Sequence, residues 1–360
     1  MSLGGERDMS DDNHRPMAWS SMLGMAGMFI FTIAIGIFIQ PAWNFEEAKA
    51  FGEEGSTESA NILFYLMMIF LFTALVIWLA RKGLQVLIKA FVLFALWISM
   101  IYATFPLLAL GFAMIGTQMP DVAFFQSLDA AFYLSLIISL IAIVGLHRYP
   151  EWWVVNGVGM IVGSGVIVML GISFVPVLVC IFMIAAAIYD YWAVHRSKHM
   201  LELADTMIDL KLPVVLVAPK NANYSFRSEQ GSMRSSEPVP GDSPVRLEEG
   251  VPKKGRDALF MGLGDVIFPG MLVISSLTYM PELGGEVYNP YGSMYLSQVL
   301  VALGTLMGGL FGYVALMRFV ARGNAQPGLP LLNGGAILGY IITGIIVVGP
   351  AALWQDISFL

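Results

Sequence analysis

Met261-Gly262-Leu263-Gly264-Asp265 lies just inside an apolar run that begins near Leu259 and continues past Val273. A carboxylate at that depth in hydrocarbon is costly. Its charge must be paired, hydrated in a cavity, or removed by protonation. Glycines three residues and one residue before the acid remove side-chain bulk, so another helix or a substrate backbone can come close. An ionisable group inside a membrane marks a functional site when a partner can be named. That partner has to come from elsewhere in the chain.

The membrane assignment rests on composition. The 360 residues are 57% hydrophobic and only 12% charged, with a mean hydropathy of +0.74, whereas a soluble chain of this length carries about 25% charge. This excludes an ordinary soluble enzyme and predicts an all-α polytopic membrane protein. At about 20 apolar residues per crossing, nine transmembrane helices are expected, over 18–40, 61–80, 84–115, 130–146, 154–174, 175–194, 257–280, 294–320 and 331–353. The third is long enough to tilt, or to bend at Pro106. The fifth and sixth must form a tight hairpin between Phe174 and Pro176. The leader, residues 1–17, is acidic (Glu6, Asp8, Asp11, Asp12) and lacks the basic start of a signal peptide, so the first run reads as a retained span. Cys180 is the only cysteine, which leaves no internal disulfide and no thiolate metal site.

Orientation follows from the basic residues. With a cytoplasmic N-terminus, 18 of the 19 Lys and Arg fall on the inner side, Lys89 by snorkelling, and only Lys49 lies outside. The outer loops are acidic: Glu46, Glu47, Glu53, Glu54, Glu58, Asp121, Glu282 and Glu286. An external C-terminus follows. The chain then divides into the leader 1–17, helices one to five over 18–174, the sixth helix at 175–194, a cytoplasmic loop at 195–256, and helices seven to nine over 257–360. Within the loop, 199–212 suits a helix and 212–219, bounded by prolines, a short exposed strand. Residues 221–255 are rich in Ser, Pro, Gly and charge and read as a mobile linker, so the loop is partly disordered. Small residues at helical spacing, Gly159/Gly163, Gly304/Gly308/Gly312 and Gly335/Gly339, favour close helix packing in lipid.

Acidic residues are nearly absent from the spans. Asp129 and Asp257 sit at edges and read as caps or solvated groups. Asp190, in Ala187-Ile188-Tyr189-Asp190-Tyr191, is inside the sixth span. It lies about 15 residues below the outer end, roughly 22 Å at 1.5 Å per residue, and so about 8 Å from the inner face of a ~30 Å core. Asp265, about 8 residues up from Asp257, lies ~12 Å above the same face. Two carboxylates at similar depth on successive antiparallel helices can share a proton. One can then activate water while the other protonates a carbonyl oxygen. A proton or cation relay uses intramembrane carboxylates as well. The pair alone therefore leaves open an aspartic protease and a carboxylate-dependent proton or cation transporter or channel.

Three motifs narrow that choice. Tyr189-Asp190 in one span and Gly262-Leu263-Gly264-Asp265 in the next resemble the YD and GxGD motifs of the presenilin and signal peptide peptidase family. Gln326-Pro327-Gly328-Leu329-Pro330, at the start of the last span, is similar to that family's Pro-Ala-Leu motif, with Gly328 in place of Ala. The resemblance implies an intramembrane aspartic endopeptidase that cuts within transmembrane helices of membrane proteins or signal peptides. Asp190 and Asp265 would be its catalytic dyad. Tyr189, Gly262, Leu263, Gly264, Pro327, Gly328 and Leu329 would shape the site. A prepilin-peptidase-like enzyme also uses GxGD but fits Tyr189-Asp190 and Pro327-Gly328-Leu329 less well. The central loop lacks the long apolar segment that presenilins cut during maturation and looks more like that of signal peptide peptidase. The resemblance therefore implies one intact chain, a microbial relative of both branches, with transmembrane-helix substrates, a lipid bilayer around it and no obligate partner subunit; a homo-oligomer stays open. Residence in the cell membrane is expected of a microbial chain.

An unwound substrate segment is expected to pair with 212–217, or with the residues leading into Asp257. No cofactor is expected. His195 and His199 are spaced i, i+4 but form no HExxH motif, and they read as part of a solvated face with His14 and His147. No phosphate loop or dinucleotide fingerprint is present, and topology accounts for the basic residues without nucleic acid.

Overall fold

The computed structural model describes residues 19–50, 52, 57, 59–118, 127–192, 215–220, 225, 258–321 and 328–355. Among them are nine helices of 17 residues or more: α1 (Trp19–Ile39), α2 (Ser59–Arg81), α3 (Gln85–Gln118), α4 (Leu128–Arg148), α5 (Trp152–Gly171), α6 (Pro176–Trp192), α7 (Leu263–Tyr279), α8 (Leu296–Ala321) and α9 (Gly328–Val347). Six of these, α1, α3, α4, α5, α8 and α9, are long and apolar enough to cross a membrane, and α6 and α7 are shorter apolar helices of 17 residues. The chain is an integral multi-pass membrane protein. Two small antiparallel ladders complete it: β1 (Val215–Pro219) with β2 (Ala258–Gly262), and β3 (Glu286–Val287) with β4 (Met294–Tyr295).

The core is centred on α5, the most buried of the six long helices. Its glycines set the distances. A Cβ at Gly165 would meet the backbone of Ala103 at 3.4 Å, and one at Gly171 would meet the Met271 carbonyl at 3.0 Å. Only a residue without a side chain lets α3 and α7 approach that closely. Gly308 and Gly312 of α8 lie against α9 backbone at Gly335, Gly339, Leu331 and Leu332, and Gly304 against the Thr343 side chain, so this seam is the close helix contact that the spacing predicts. Gly159 differs from the expectation of helix packing, because its notch receives Leu216 of β1.

Several predicted boundaries are corrected. The seventh span is expected to be helical from Asp257, but 258–262 is strand and the helix begins at Leu263. Glycines at 262 and 264 weaken a helix, and pairing with β1 satisfies the backbone instead. The eighth helix begins at Leu296, after a two-residue strand. The ninth begins three residues earlier than expected, at Gly328, and ends at Val347, where Gly349 (φ 88°) and Pro350 start a 3-10 turn. The strand at 212–219 is not exposed: Leu216, Val217 and Ala218 are all buried, and 212–214 lie outside the described residues. The expected helix at 199–212, the linker at 221–255 apart from Ser225, the leader 1–17 and Asp257 also lie outside them.

Pro106 leaves α3 continuous. Proline cannot donate to the carbonyl four residues back, Tyr102. That carbonyl instead accepts the Trp43 indole N–H at 2.8 Å. The α5–α6 hairpin is as tight as predicted, with Gly171 ending one helix and Pro176 opening the next in the position where a missing N–H costs least.

Candidate active site

Three helix ends meet at one point. The pairing of α6 with α7 is antiparallel and can be followed by contacts. Ser275 Oγ donates to the Phe174 carbonyl at 2.6 Å at one end. The Phe182 and Phe268 rings lie 5.5 Å apart in the middle. Beyond them Asp190 lies close enough to Asp265 for its charge to act on that carboxylate. Asp190 is buried near the end of α6, and Asp265 is partly buried in the first turn of α7. The two therefore converge as their depths predict. Asp265 lies nearer the start of its helix than expected, because β2 replaces the first predicted turns.

The third end is the first turn of α9. The Leu329 backbone N–H is directed at the Asp190 carboxylate. A Cβ on Gly328 would fall 3.0 Å from Oδ2 and 3.2 Å from Oδ1 of Asp265. The Gly262 N–H, at the cap of α7, is directed at Asp265. Two helix N-termini thus face the carboxylates, with unpaired N–H groups and the positive end of the helix dipole. Each carboxylate therefore has a backbone N–H donor beside it in an otherwise apolar setting.

The other predicted residues divide. Gly264 is exposed, and a Cβ there would meet only Phe268, at 3.8 Å, so the segment offers open room beside Asp265. Tyr189 is partly buried next to Asp190, its ring 6.3 Å from Trp192. Leu263 is buried and packs against α5, its Cδ1 3.2 Å from where a Cβ on Gly163 would lie. Pro327 lies outside the described residues. Val217 N–H and C=O, on the β1 edge away from β2, are both bonded to the Asn156 side chain. An added strand has no place at Val217, and 212–214 of the segment expected to pair with substrate lie outside the described residues.

Two amides were not singled out by the search for carboxylates. Asn333 of α9 is buried and donates to the Met183 carbonyl of α6 at 3.0 Å, fastening the helix that brings Leu329 to the helix that brings Asp190. Asn156 holds β1 from α5. Each is a lone polar residue in an apolar run, and that was the available signal. Among the described residues no group of three or more His, Cys, Asp or Glu could hold a metal ion.

The comparisons agree with this geometry. A family model described as "Signal-peptide peptidase, presenilin aspartyl protease" matches residues 26–349. No curated protein matches the chain. Among solved structures, a presenilin family intramembrane aspartate protease in the C222 space group is 26% identical. That match covers 92% of this chain and 98% of the other, at a TM-score of 0.53. A structure described in the same words, in the P2 space group, is 27% identical over 90% of this chain and 97% of the other, at a TM-score of 0.55. With a family match over most of its length, the chain belongs to the signal-peptide peptidase and presenilin family of intramembrane aspartyl proteases.

Proposed function

We propose that the chain is an intramembrane aspartic endopeptidase in which Asp190 and Asp265 are the catalytic dyad. The observation that carries this reading is the convergence of two carboxylates from α6 and α7 with the α9 N-terminus. The substrate is a transmembrane helix or signal peptide, unwound locally because its paired amides otherwise shield the scissile carbonyl. The dyad shares one proton. The ionised carboxylate takes a proton from water as the water oxygen bonds to the carbonyl carbon, and the protonated carboxyl gives its proton to the carbonyl oxygen. Collapse of the tetrahedral gem-diol breaks the C–N bond: the amine leaves with the proton first taken from water, and the other carboxylate takes a proton back from a diol hydroxyl as the product carboxyl forms, which restores the shared proton. The Leu329 and Gly262 N–H groups keep the pair oriented through both transfers. Gly328 and Gly264 leave space for the extended segment, Tyr189 flanks it, and Leu263 and Pro327 keep the site-shaping roles that the family motifs imply.

All nine helices span the bilayer in this reading, with the N-terminus inside and the C-terminus outside. The dyad then lies in the cytoplasmic half, where water reaches it most directly. Arg148 and Arg318, in the last turns of α4 and α8, mark that same face. No partner subunit is required.

The test is cleavage of a fluorescent single-span substrate by purified protein in liposomes, beside Asp190→Ala, Asp265→Ala and an inhibitor that mimics the tetrahedral intermediate. Cleavage lost in both variants and blocked by the inhibitor supports the dyad. Cleavage that survives either substitution overturns the assignment, and ion flux without cleavage turns the reading to transport.

A further inference from the structure

Asn156 is 4% exposed in the apolar run Val154-Val155-Asn156-Gly157-Val158 of α5. A carboxamide in such a place needs partners for both of its ends. Both come from one residue: Nδ2 donates to the Val217 carbonyl at 2.7 Å, and Oδ1 accepts the Val217 N–H at 2.8 Å. That is the bonding a neighbouring strand supplies, provided here by a side chain.

The clamp acts on a hairpin tied to Asp265. Val217 pairs with Phe260 and Val215 with Gly262 across the ladder. Gly262 is both the end of β2 and the cap of α7, and its N–H is directed at Asp265. On the same edge of β1, two residues after Val217, Ser21 Oγ donates to the Pro219 carbonyl at 2.7 Å. One turn after Asn156, a Cβ on Gly159 would lie 3.2 Å from Leu216, so α5 also holds the strand by a side chain. A short ladder can slip by two residues without exchanging its faces, so packing alone does not fix its register along the membrane normal. A paired amide does.

We propose that Asn156 is a positioning residue of the protease. It fixes the height of the β1–β2 hairpin on α5, and with it the place along an extended substrate at which Asp265 meets the scissile carbonyl. The inference rests on the protease reading above, and its own content is that Asn156 selects the cleavage position.

The test compares Asn156→Leu, which removes both bonds, and Asn156→Asp, which keeps only the acceptor, with Asn289→Leu. Asn289 is an equally suitable control because it too is buried and bonds backbone at both ends, at Phe38 (3.0 Å) and Tyr291 (2.9 Å), but in the loop before α8. Rates are taken per inhibitor-titrated site, and product lengths by mass spectrometry. Asn156→Leu should lower kcat about tenfold with little change in KM, because a small misplacement of reacting groups is costly. It should also spread the principal cleavage over neighbouring bonds, with Asn156→Asp intermediate. Asn289→Leu should leave the product pattern unchanged. An unchanged pattern in both Asn156 variants overturns the proposal, whatever their stability. Should Asn156→Leu fail to fold, the Asp variant decides by the same pattern. Hydrogen exchange at 215–219 and 258–262, expected to quicken about tenfold in the variants, reads the anchor without any cleavage. Unchanged exchange overturns it even if the unmutated chain proves not to be a protease.

Discussion

The two ends of the α6–α7 pair are built differently. At the end away from the dyad, side chains reach across to backbone carbonyls or, from Gln40, to the Thr278 hydroxyl. Ser275 holds Phe174, Tyr279 holds Ile172, Gln40 holds Thr278, and Gln298 holds Met280. At the dyad end the helix termini are brought together by glycines and by a hairpin, and the polar groups that face the site are backbone N–H groups. The first end resists motion, and the second leaves room for an extended chain and water. With the proposed dyad, stability and chemistry are placed at opposite ends of the same helices. Substitutions at the two ends should separate them.

The largest separation is expected at the dyad itself. Asp190→Ala or Asp265→Ala should lower cleavage by about a thousandfold or more, since residues that act as a unit fail together. The melting temperature should hold or rise, because a carboxylate in an apolar site contributes little to stability. A fall in melting temperature that accounts for the lost activity would make these residues structural. In the unmutated chain one shared proton predicts a bell-shaped pH profile: rates fall at low pH when the pair holds two protons and at high pH when it holds none. A flat profile from acid to neutral pH would break the shared-proton account.

Next is the α8–α9 seam, which belongs to neither end but sets the position of the α9 N-terminus. A Cβ at Gly308 would lie 2.8 Å from Gly339 Cα, and backbone cannot move aside as a side chain can. Gly308→Ala should destabilise by about 1–3 kcal/mol. It should also lower kcat per folded molecule, by drawing Leu329 away from Asp190. A stability loss with kcat intact would show that α9 carries its first turn independently of the seam.

Much of the site was legible because charge is rare in apolar sequence. Asp190 and Asp265 stand out in their spans, and counting residues along each helix put them at one depth. What the sequence concealed has a common cause: hydropathy marks which segments are buried but not how their first turns are bonded. Ala258-Leu259-Phe260-Met261 is as apolar as a helix, and its strand state depends on partners, Leu216 to Pro219, that lie far back in the sequence. Gly328, where α9 starts, has as its neighbour a carboxylate from α7, 63 positions away in sequence. Asn156 carries no charge, and its partner is 61 positions away, so neither composition nor local spacing joins the two. The glycine pattern at 304, 308 and 312 was readable because both partners use the same helical period. Gly159 shares that pattern but serves a strand.

Smaller effects sharpen the contrast. Gly328→Ala restores the family's usual residue. Its new methyl would press on both Asp265 oxygens from 3.0 and 3.2 Å, closer than ordinary contact, so the carboxylate must yield by a few tenths of an ångström. Activity should fall by up to about tenfold with stability unchanged. A rise instead would mean that Asp265 is better placed when pushed, and that glycine here serves substrate access.

The smallest effect belongs to the far end. Tyr279→Phe removes the hydroxyl that donates to the Ile172 carbonyl at 2.5 Å while keeping the ring that Lys49 overlies at 5.5 Å. The cost should be about 0.5–1.5 kcal/mol, seen as a drop of roughly 1–3 °C in melting temperature. Product lengths should stay as they are, because the dyad is set by the hairpin and α9 rather than by this bond. If product lengths shift, the far end positions the dyad too, and the division of labour along α6 and α7 does not hold.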